Sequence, residues 1–165
     1  MAALHGTEHA LDLGCGDGRL TAKLRAGSVT AADVSGVAVR RAARRLPDAE
    51  VVQVQPDEPL PFVDGEFELV LCTETIEHVR DVQLFLSEIR RVLRPGGGLA
   101  LTTPAHSRLT ALRLLVRGFE SEFDPLSPHL RFFTRRSLSR LLDAMGFDVS
   151  SLRRRSGTLL VMARR

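Results

Sequence analysis

The sequence predicts an α/β protein whose open sheet is mostly parallel and is covered by helices on both faces. Strand-like and helix-like segments alternate along almost the whole chain, which is typical of βαβ units. A glycine-rich turn follows the first strand-like segment, at the strand end where such sheets bind ligands. The last two strand-like segments are separated by a short turn and predict an antiparallel hairpin. We therefore expect seven strands in a single domain that spans residues 1–165.

The first half of the chain predicts four strands and two helices. The first strand ends at Leu13 and is followed by a helix from about Arg19 to Arg25, with Gly27 as its C-cap. Ser35 is placed to cap a second helix, which stops before Pro47. The second, third and fourth strands are predicted at residues 28–34, 50–54 and 67–72.

The second half predicts two more helices, three strands and an insertion. A helix begins after Asp81, and the Pro-Gly-Gly-Gly run at residues 95–98 ends it before a strand at residues 99–103. Residues 105–133 interrupt the alternation and are predicted to form a lid. Its apolar stripe either contacts substrate or a partner, or packs on the helical layer. The stripe consists of Leu112, Leu115, Val116 and Phe119. Thr134 caps the last helix. The hairpin strands are predicted at residues 147–152 and 158–163.

Composition indicates a folded domain of modest positive charge. The chain is 44% hydrophobic and has a formal net charge of +3. No apolar run approaches the roughly 20 residues of a membrane span, and the N-terminus lacks a signal pattern, so we expect a cytoplasmic protein. Cys15 and Cys72 are not spaced as a metal-binding pair, and we expect both to be free thiols.

Arginines cluster near the C-terminus, at residues 153–155 and 164–165. We interpret this cluster as the solvated face of the two terminal strands. The chain has no Trp and no Tyr, so aromatic platforms for stacking bases are not evident. The composition therefore favours a small-molecule substrate over a nucleic-acid partner.

The turn after the first strand is shaped to approach a ligand closely. Gly14, Gly16 and Gly18 alternate with other residues, and glycine allows positive φ and removes the Cβ. In a dinucleotide fingerprint, G-x-G-x-x-G, the third glycine comes one residue later than Gly18. Asp12, two residues before Gly14, would repel a phosphate but suits an ammonium group. The alternative is a glycine-rich surface turn without a ligand.

Acidic residues follow the next two strands at the same edge of the predicted sheet. Asp33 lies 21 residues beyond Asp12, where an acid can accept the hydroxyls of a ribose. Its alternative role is that of an acid at a helix N-terminus or in an exposed turn. Asp57 follows the third strand and could accept an adenine amine, although its neighbours Pro56 and Glu58 leave that assignment open.

Several motifs in this order resemble the class I S-adenosylmethionine-dependent methyltransferases, in particular the small-molecule group that includes ubiquinone-biosynthesis O-methyltransferases. The matching stretches are LDLGCGDG, ADVS, LPF followed by DGEFELVLC, ETIEHV, EIRRVLRPGG and LRFFTRRSLSRLLDAMGF. The resemblance implies a Rossmann-like seven-stranded sheet, S-adenosyl-L-methionine as cofactor, and methyl transfer. The cofactor-binding residues that it implies are Asp12, Gly14, Cys15, Gly16, Gly18, Asp33, Val34, Asp57 and Thr73.

The sequence departs from the family pattern at two places. Pro56 stands where family members often have an acid, and Asp57 comes one place later. Only about eight residues precede the first strand, whereas many relatives carry helices there that close over the substrate. This leaves two expectations: a more open site, or a cover on the N-terminal side supplied by a partner subunit or by a second copy of the chain.

The candidates for catalysis lie in the segment Glu74-Thr75-Ile76-Glu77-His78. If this segment is helical, Glu74, Glu77 and His78 share one face, since they stand at i, i+3 and i+4. Two carboxylates and an imidazole suit a divalent ion, either Mg²⁺ or Mn²⁺ through oxygen or Zn²⁺ through nitrogen. His129 is a candidate fourth ligand. This set resembles the metal site of small-RNA 2′-O-methyltransferases and of some ubiquinone-pathway enzymes.

The same residues also allow chemistry without a metal. His78 is a candidate general base, with His129 as a second catalytic candidate, and a structural role is the remaining alternative. We expect methyl transfer to a small-molecule acceptor, most simply at oxygen. Two alternatives stay open: a metal-assisted RNA 2′-O-methyltransferase, and a cofactor-binding subunit of a larger complex that has no activity of its own.

Overall fold

The fold is described from a computed structural model, and the description covers residues 7–106, 110, 112, 115, 116, 118 and 128–165. Seven strands form one sheet in the order β3-β2-β1-β4-β5-β7-β6. The strands are β1 Thr7–Leu13, β2 Ala26–Asp33, β3 Glu50–Gln53, β4 Phe67–Thr73, β5 Leu93–Pro104, β6 Asp148–Arg155 and β7 Thr158–Arg164. The first five pair in parallel, whereas β7 is antiparallel to both β5 and β6. The predicted sheet and its terminal hairpin are confirmed.

Two of the described α-helices begin at the caps that the sequence predicts, and another begins after Asp81, as predicted. The helices are α1 Gly36–Arg45, α2 Val82–Val92 and α3 Arg135–Ala144. Ser35 and Asp81 accept backbone N–H groups of α1 and α2, respectively. Thr134 and Ser137 form a reciprocal capping box on α3. None of the helices in the described ranges is long and apolar enough to cross a membrane.

The helices lie on both faces of the sheet, as predicted. Successive residues of a strand point to opposite faces, and Ala31 and Ala32 of β2 belong to different apolar clusters. Ala31 packs with Ala42 of α1. Ala32 belongs to the main core, which contains apolar side chains of both α2 and α3. The face opposite α1 therefore holds the largest apolar cluster.

The predicted helix from Arg19 to Arg25 is wrong. A single 3₁₀ turn at Thr21–Lys23 connects β1 and β2, and Gly27 lies inside β2 rather than at a helix C-cap. The cause is tertiary pairing: Ala26 is already in register with Thr7, so the segment after the glycine turn is too short for a helix. Leu24 is extended, with ψ 142°, and leads directly into β2.

The strand β5 starts earlier than the glycines predict. It begins at Leu93, immediately after α2, and includes the Pro-Gly-Gly-Gly run at 95–98. Leu93 pairs with Phe67, and Gly98 pairs with Leu69, so the intervening residues form an irregularity in β5. The positive φ of Gly96, 76°, belongs to this irregularity.

Candidate functional site

A cavity of about 460 Å³ opens at the carboxyl ends of the parallel strands. Its wall includes Leu13 and Gly14 at the end of β1, and Asp33 at the end of β2. Thr75 and His78, which follow β4, form another part of the wall. In a parallel sheet these strand ends meet at one edge, and this arrangement places the predicted ligand-binding segments around one space.

The three glycines of the turn are required for three different reasons. All have positive φ: 84° for Gly14, 55° for Gly16 and 78° for Gly18. A Cβ on Gly14 would lie 2.2 Å from Oγ1 of Thr75, and one on Gly18 would lie 2.9 Å from Cδ1 of Leu46. A Cβ on Gly16 would meet nothing within 4 Å. Gly16 alone therefore presents open space to a ligand, whereas Gly14 and Gly18 make room for other parts of the protein.

Asp33 accepts hydrogen bonds from two backbone N–H groups and can accept further ones. Its Oδ2 accepts the backbone N–H of Gly16 at 2.9 Å, and its Oδ1 accepts that of Ser35 at 2.8 Å. A carboxylate has about four acceptor positions, so each oxygen can accept one further hydrogen bond. Val34 follows on the cavity wall and is 52% exposed. The Asp33 carboxylate suits the hydroxyls of a ribose, and the exposed Val34 side chain suits the apolar face of a base beside it.

Asp12 carries an unused acceptor in the interior. The residue is 1% exposed, and its Oδ2 accepts the hydroxyl of Thr21 at 2.5 Å. The buried Oδ1 has no hydrogen-bond partner in the described part of the chain. Burial raises the pKa of Asp12, and the charge of Asp33 raises it further, while the Thr21 hydrogen bond lowers it. An ammonium group would satisfy this oxygen, so the residues present fit the aminoacyl end of S-adenosylmethionine.

Four of the predicted cofactor-binding residues lie outside the cavity wall. They are Asp12, Cys15, Gly18 and Thr73. Burial raises the pKa of the Cys15 thiol to about 12, with neighbouring carboxylates adding to the effect, so the thiol is protonated at neutral pH. The carbonyl of Thr73 accepts the hydroxyl of Thr75 at 3.0 Å. Thr73 thereby orients the side chain that packs against Gly14.

Asp57 lines the cavity, but its carboxylate already has a partner. Arg80 lies 2.5 Å from Oδ2 of Asp57, and both residues are on the cavity wall. The backbone of Asp57 is left-handed, with φ 58°. An adenine amine at this carboxylate would have to share it with Arg80. No motif in the sequence indicated Arg80, because the ion pair joins two loops.

An ion pair between Glu88 and Arg91, which the sequence did not predict, supports the cavity wall near Leu60. Glu88 of α2 is 8% exposed and accepts the N–H of Leu60 at 2.7 Å. Arg91 donates to Glu88 and also to the carbonyls of Leu60 and Phe62. The guanidinium of Arg91 holds the pKa of Glu88 below its ordinary value. The only sequence signal was the i, i+3 spacing in EIRRVL.

A second group of polar side chains comprises Glu77, His78 and His129, of which His78 lines the cavity. Ligand atoms of Glu77, His78 and His129 all lie within 4.8 Å of one another. Glu77 is 1% exposed; its Oε2 accepts the Thr103 hydroxyl at 3.0 Å, and its buried Oε1 has no hydrogen-bond partner among the described residues. Burial raises the pKa of Glu77. Nδ1 of His78 is 3.0 Å from the carbonyl of Pro128, which favours a proton on Nδ1 and a lone pair on Nε2.

Glu74 does not join this group, and the predicted shared helical face is wrong. Glu74 is left-handed, with φ 50°, and only Ile76–His78 form a 3₁₀ turn. Oε1 of Glu74 accepts the Thr102 hydroxyl at 2.8 Å instead. The hydrogen bonds to β5 determine this geometry, and the local spacing could not reveal them.

The segment before α3 is fastened to the turn after β4. The carbonyl of Glu77 accepts the N–H groups of Leu130 and Arg131 at 2.8 and 3.1 Å. The Arg131 guanidinium donates to the carbonyls of Val79 and Arg80. These contacts bring His129 to His78, with ring centroids 4.9 Å apart.

Most of the predicted lid at residues 105–133 lies outside the described residues. Within its apolar stripe, Phe119 is among the residues not described, and Leu112, Leu115 and Val116 are exposed. The role of the stripe stays a prediction.

The fold and the site define a class. An open sheet of this strand order, a glycine turn and an acid at the end of the second strand are typical of Rossmann-like proteins that bind a nucleoside cofactor. The sequence model of the family described as "Methyltransferase domain" matches residues 11–101, more than half of the chain. The chain belongs to this family, within the class I S-adenosylmethionine-dependent methyltransferases.

Curated relatives agree with this membership, and a solved structure shares the fold. The chain is 32% identical over 164 residues to a malonyl-[acyl-carrier protein] O-methyltransferase of Methylococcus capsulatus, covering 92% of this chain and 58% of that protein. It is 33% identical over 138 residues to the enzyme of the same name from Enterobacter lignolyticus, covering 82% and 53%. A solved structure from Bacillus halodurans has a TM-score of 0.81 at 21% identity, covering 99% of this chain and 94% of that chain. This chain spans from about a third to about three fifths of the length of such curated relatives.

Proposed function

We propose that this chain binds S-adenosylmethionine in the cavity beside the glycine turn and transfers its methyl group to an oxygen of a small-molecule acceptor. The observation that carries the proposal is the arrangement around Gly16. Open space at Gly16 adjoins Asp33, which can accept further hydrogen bonds, and the buried Oδ1 of Asp12 has no hydrogen-bond partner among the described residues. Oxygen is favoured as the acceptor atom because both relatives above are O-methyltransferases by name.

The cavity divides into two halves under this proposal. We use "cofactor half" for Asp12, the turn Gly14–Gly18, Asp33 and Val34, and "acceptor half" for Glu77, His78 and His129. In the cofactor half, Asp33 accepts the ribose hydroxyls and Asp12 accepts the ammonium group. Val34 offers an apolar wall for the base.

The acceptor half can remove a proton. S-adenosylmethionine, when bound, supplies a methyl group that is already activated on a sulfonium. The chain must then align an acceptor oxygen and accept its proton. His78 is suited to this because its Nδ1–H is held by the Pro128 carbonyl, which leaves Nε2 able to take the proton. Glu77, 4.0 Å from His78 Nε2, can stabilise the imidazolium that forms.

The first experiment separates cofactor binding from catalysis. Calorimetric titration with S-adenosylhomocysteine should show binding to the wild type and to Asp48→Ala, an exposed acid outside the cavity wall, but much weaker binding to Asp33→Ala. Methyl transfer is then measured on a panel of carboxylic acids, phenols, amines, an RNA oligonucleotide and a malonyl thioester on an acyl-carrier protein. Tight binding without transfer to any acceptor would favour the cofactor-binding subunit.

A metal-assisted reaction is the second candidate. The observation in its favour is that Glu77, His78 and His129 bring a carboxylate and two imidazoles within 4.8 Å of one another. These three residues would hold the ion, and Glu74 would not, since it bonds to Thr102. Activity that survives exhaustive chelation, with no regain on adding Mg²⁺, Mn²⁺ or Zn²⁺, would reject this candidate and leave His78 as the base. Metal-dependent transfer to RNA alone would favour the RNA 2′-O-methyltransferase.

The cytoplasmic location and the cover by a second subunit or copy also stay predictions.

A further inference from the structure

Charge is distributed unevenly along the chain. Residues 89–165 contain 15 of the 23 Lys and Arg residues but only 5 of the 20 Asp and Glu residues. Within this part, Asp143 lies near the end of α3 and Asp148 at the start of β6, whereas the arginines at residues 135–136 and 153–155 lie at the start of α3 and the end of β6. Since α3 starts and β6 ends at the edge that carries the cavity, the arginines are at this edge and those two acids are at the other.

Five of these arginines lie at the start of α3 and the end of β6, and we call them the arginine rim: Arg135, Arg136, Arg153, Arg154 and Arg155. Ala105 forms a bridge with Phe133, two residues before Arg135. The N–H of Ala105 also donates to the carbonyl of Gly157, in the turn that follows Arg155. The start of α3 and the end of β6 are therefore both fastened to Ala105.

The rim lies next to the acceptor half of the cavity. The segment that leads into α3 contacts the cavity wall, because the Pro128 carbonyl accepts from His78 and the Leu130 N–H donates to Glu77. Anything that docks on the rim is therefore placed beside the proposed acceptor site.

The rim arginines form no ion pair with a described carboxylate that would explain their positions. All five are exposed, and none has a carboxylate within 4.0 Å in the part of the chain that the structure describes. By contrast, Arg80 is paired with Asp57, and Arg91 of α2 is paired with Glu88. Ion pairs among the described residues therefore do not account for the rim.

Two of the arginines oppose the local electrostatics of their helix. Arg135 and Arg136 occupy the first turn of α3, which contains no acidic residue. The N-terminus of a helix carries a partial positive charge, so cations there are unfavourable. Charges on the edge strand β6 can prevent edge-to-edge pairing, but that reason does not apply to a helix N-terminus. Residues that break a local rule without a structural gain are candidates for function.

We propose that the arginine rim docks an acidic protein that presents the methyl acceptor to the cavity. This inference rests on the proposed function, since it assigns the acceptor's carrier. A protein is favoured over RNA because the chain has no Trp or Tyr, and Phe132, at 40%, is the one exposed phenylalanine among the described residues. Complementary charge around an open site speeds encounter and orients the partner.

The test measures binding and does not require turnover. A fluorescently labelled acyl-carrier protein of high negative charge is titrated with the full chain, in the presence of S-adenosylhomocysteine, and anisotropy is recorded at two salt concentrations. The rim variant carries Arg135→Glu, Arg136→Glu and Arg154→Glu. The matched control carries Lys23→Glu, Arg41→Glu and Arg44→Glu, which changes the net charge equally at exposed residues away from the Ala105 junction.

We expect the rim variant to bind at least about tenfold more weakly than the wild type, the control to lose less than about threefold, and wild-type binding to weaken with salt. The rim variant should melt no lower than the wild type, because glutamates suit the N-terminus of α3. Equal loss in both variants, or no binding of the carrier protein, overturns the proposal. Rim-dependent binding of a single-stranded RNA but not of the carrier overturns it in favour of nucleic acid. S-adenosylhomocysteine binding, measured separately, shows whether the proposed function itself has failed.

Discussion

The cofactor half and the acceptor half of the cavity are held together in different ways. Asp33 is fixed by backbone N–H groups of Gly16 and Ser35, within 17 residues of it in the chain. His78 and Glu77 are fixed by Pro128 and Leu130, about 50 residues away. The first half is therefore a local structure, and the second depends on two distant segments meeting correctly. We therefore expect substitutions in the cofactor half to affect binding of the cofactor, and substitutions in the acceptor half to affect turnover.

The largest effect is expected at Gly14, which packs against Thr75, three residues before His78. Gly14→Ala adds a Cβ 2.2 Å from Thr75 Oγ1 at φ 84°, and should lower the free energy of unfolding by about 2–4 kcal/mol. Gly16→Ala meets no atom and should cost about 1–2 kcal/mol from backbone strain alone. Urea unfolding measures both. Equal destabilisation by the two variants would contradict the role of Thr75 at Gly14.

Asp33→Ala should weaken cofactor binding without affecting the acceptor half. The variant loses the acceptor for ribose hydroxyls and for the Gly16 N–H, so we expect the free energy of S-adenosylhomocysteine binding to weaken by about 1–3 kcal/mol. The KM for the methyl acceptor should change less than twofold. Calorimetry and steady-state kinetics measure the two quantities, and unchanged cofactor affinity would remove Asp33 from the site.

Glu88→Gln tests the support beneath the loop that lines the cofactor side. The amide can still accept the Leu60 N–H but loses its charged pairing with Arg91, so stability at pH 7 should fall by about 1–2 kcal/mol. The pKa of Glu88 is lowered in the folded chain, so its contribution is present above the ordinary value and is lost as pH falls through the lowered one. The difference between wild type and variant should therefore shrink in acid, as urea titrations at pH 7 and pH 3 would show. Asp48→Asn is the control, and a constant difference would contradict the ion pair.

Arg131→Met should loosen only the acceptor half. The guanidinium bonds to the carbonyls of Val79 and Arg80 are lost while the aliphatic stem is kept, at a cost of about 1 kcal/mol. We expect faster amide exchange at Leu130 and a lower kcat, with S-adenosylhomocysteine affinity unchanged. A loss of cofactor affinity as large as that of Asp33→Ala would show that the halves are not separable.

The smallest effect is a pH dependence at Asp12. Burial raises its pKa above the ordinary value near 3.8, so the folded chain keeps this proton to higher pH than the unfolded chain. Without cofactor, stability should fall as pH rises from the ordinary value through the raised one, and Asp12→Asn should flatten this slope. Cofactor binding should show the opposite trend, since it needs the ionised carboxylate. Melting curves with and without S-adenosylhomocysteine between pH 4 and 8 measure both, and identical slopes for wild type and Asp12→Asn would contradict the raised pKa of Asp12.

The sequence by itself determined where the strands fall along the chain, the caps of α1 and α3, the start of α2 after Asp81, and the hairpin. Ser35, Asp81 and Thr134 cap their helices because the signal lies within three residues of each. The glycine turn was recognisable from its local spacing, and Asp33 from its position 21 residues beyond Asp12 after the second predicted strand. Asp57 was recognised as an acid after β3, but its pairing with Arg80 was not, since nothing local links residues 57 and 80.

Only the tertiary structure decided what occupies the space around these residues. Pairing of Ala26 with Thr7 replaced the predicted first helix by a 3₁₀ turn, because strand register overrides weak helical periodicity in a short connection. Thr102 drew Glu74 away from Glu77, and the segment at 128–131 brought His129 to His78. These outcomes depend on hydrogen bonds between residues far apart in the chain, and periodicity and spacing contain no information about them.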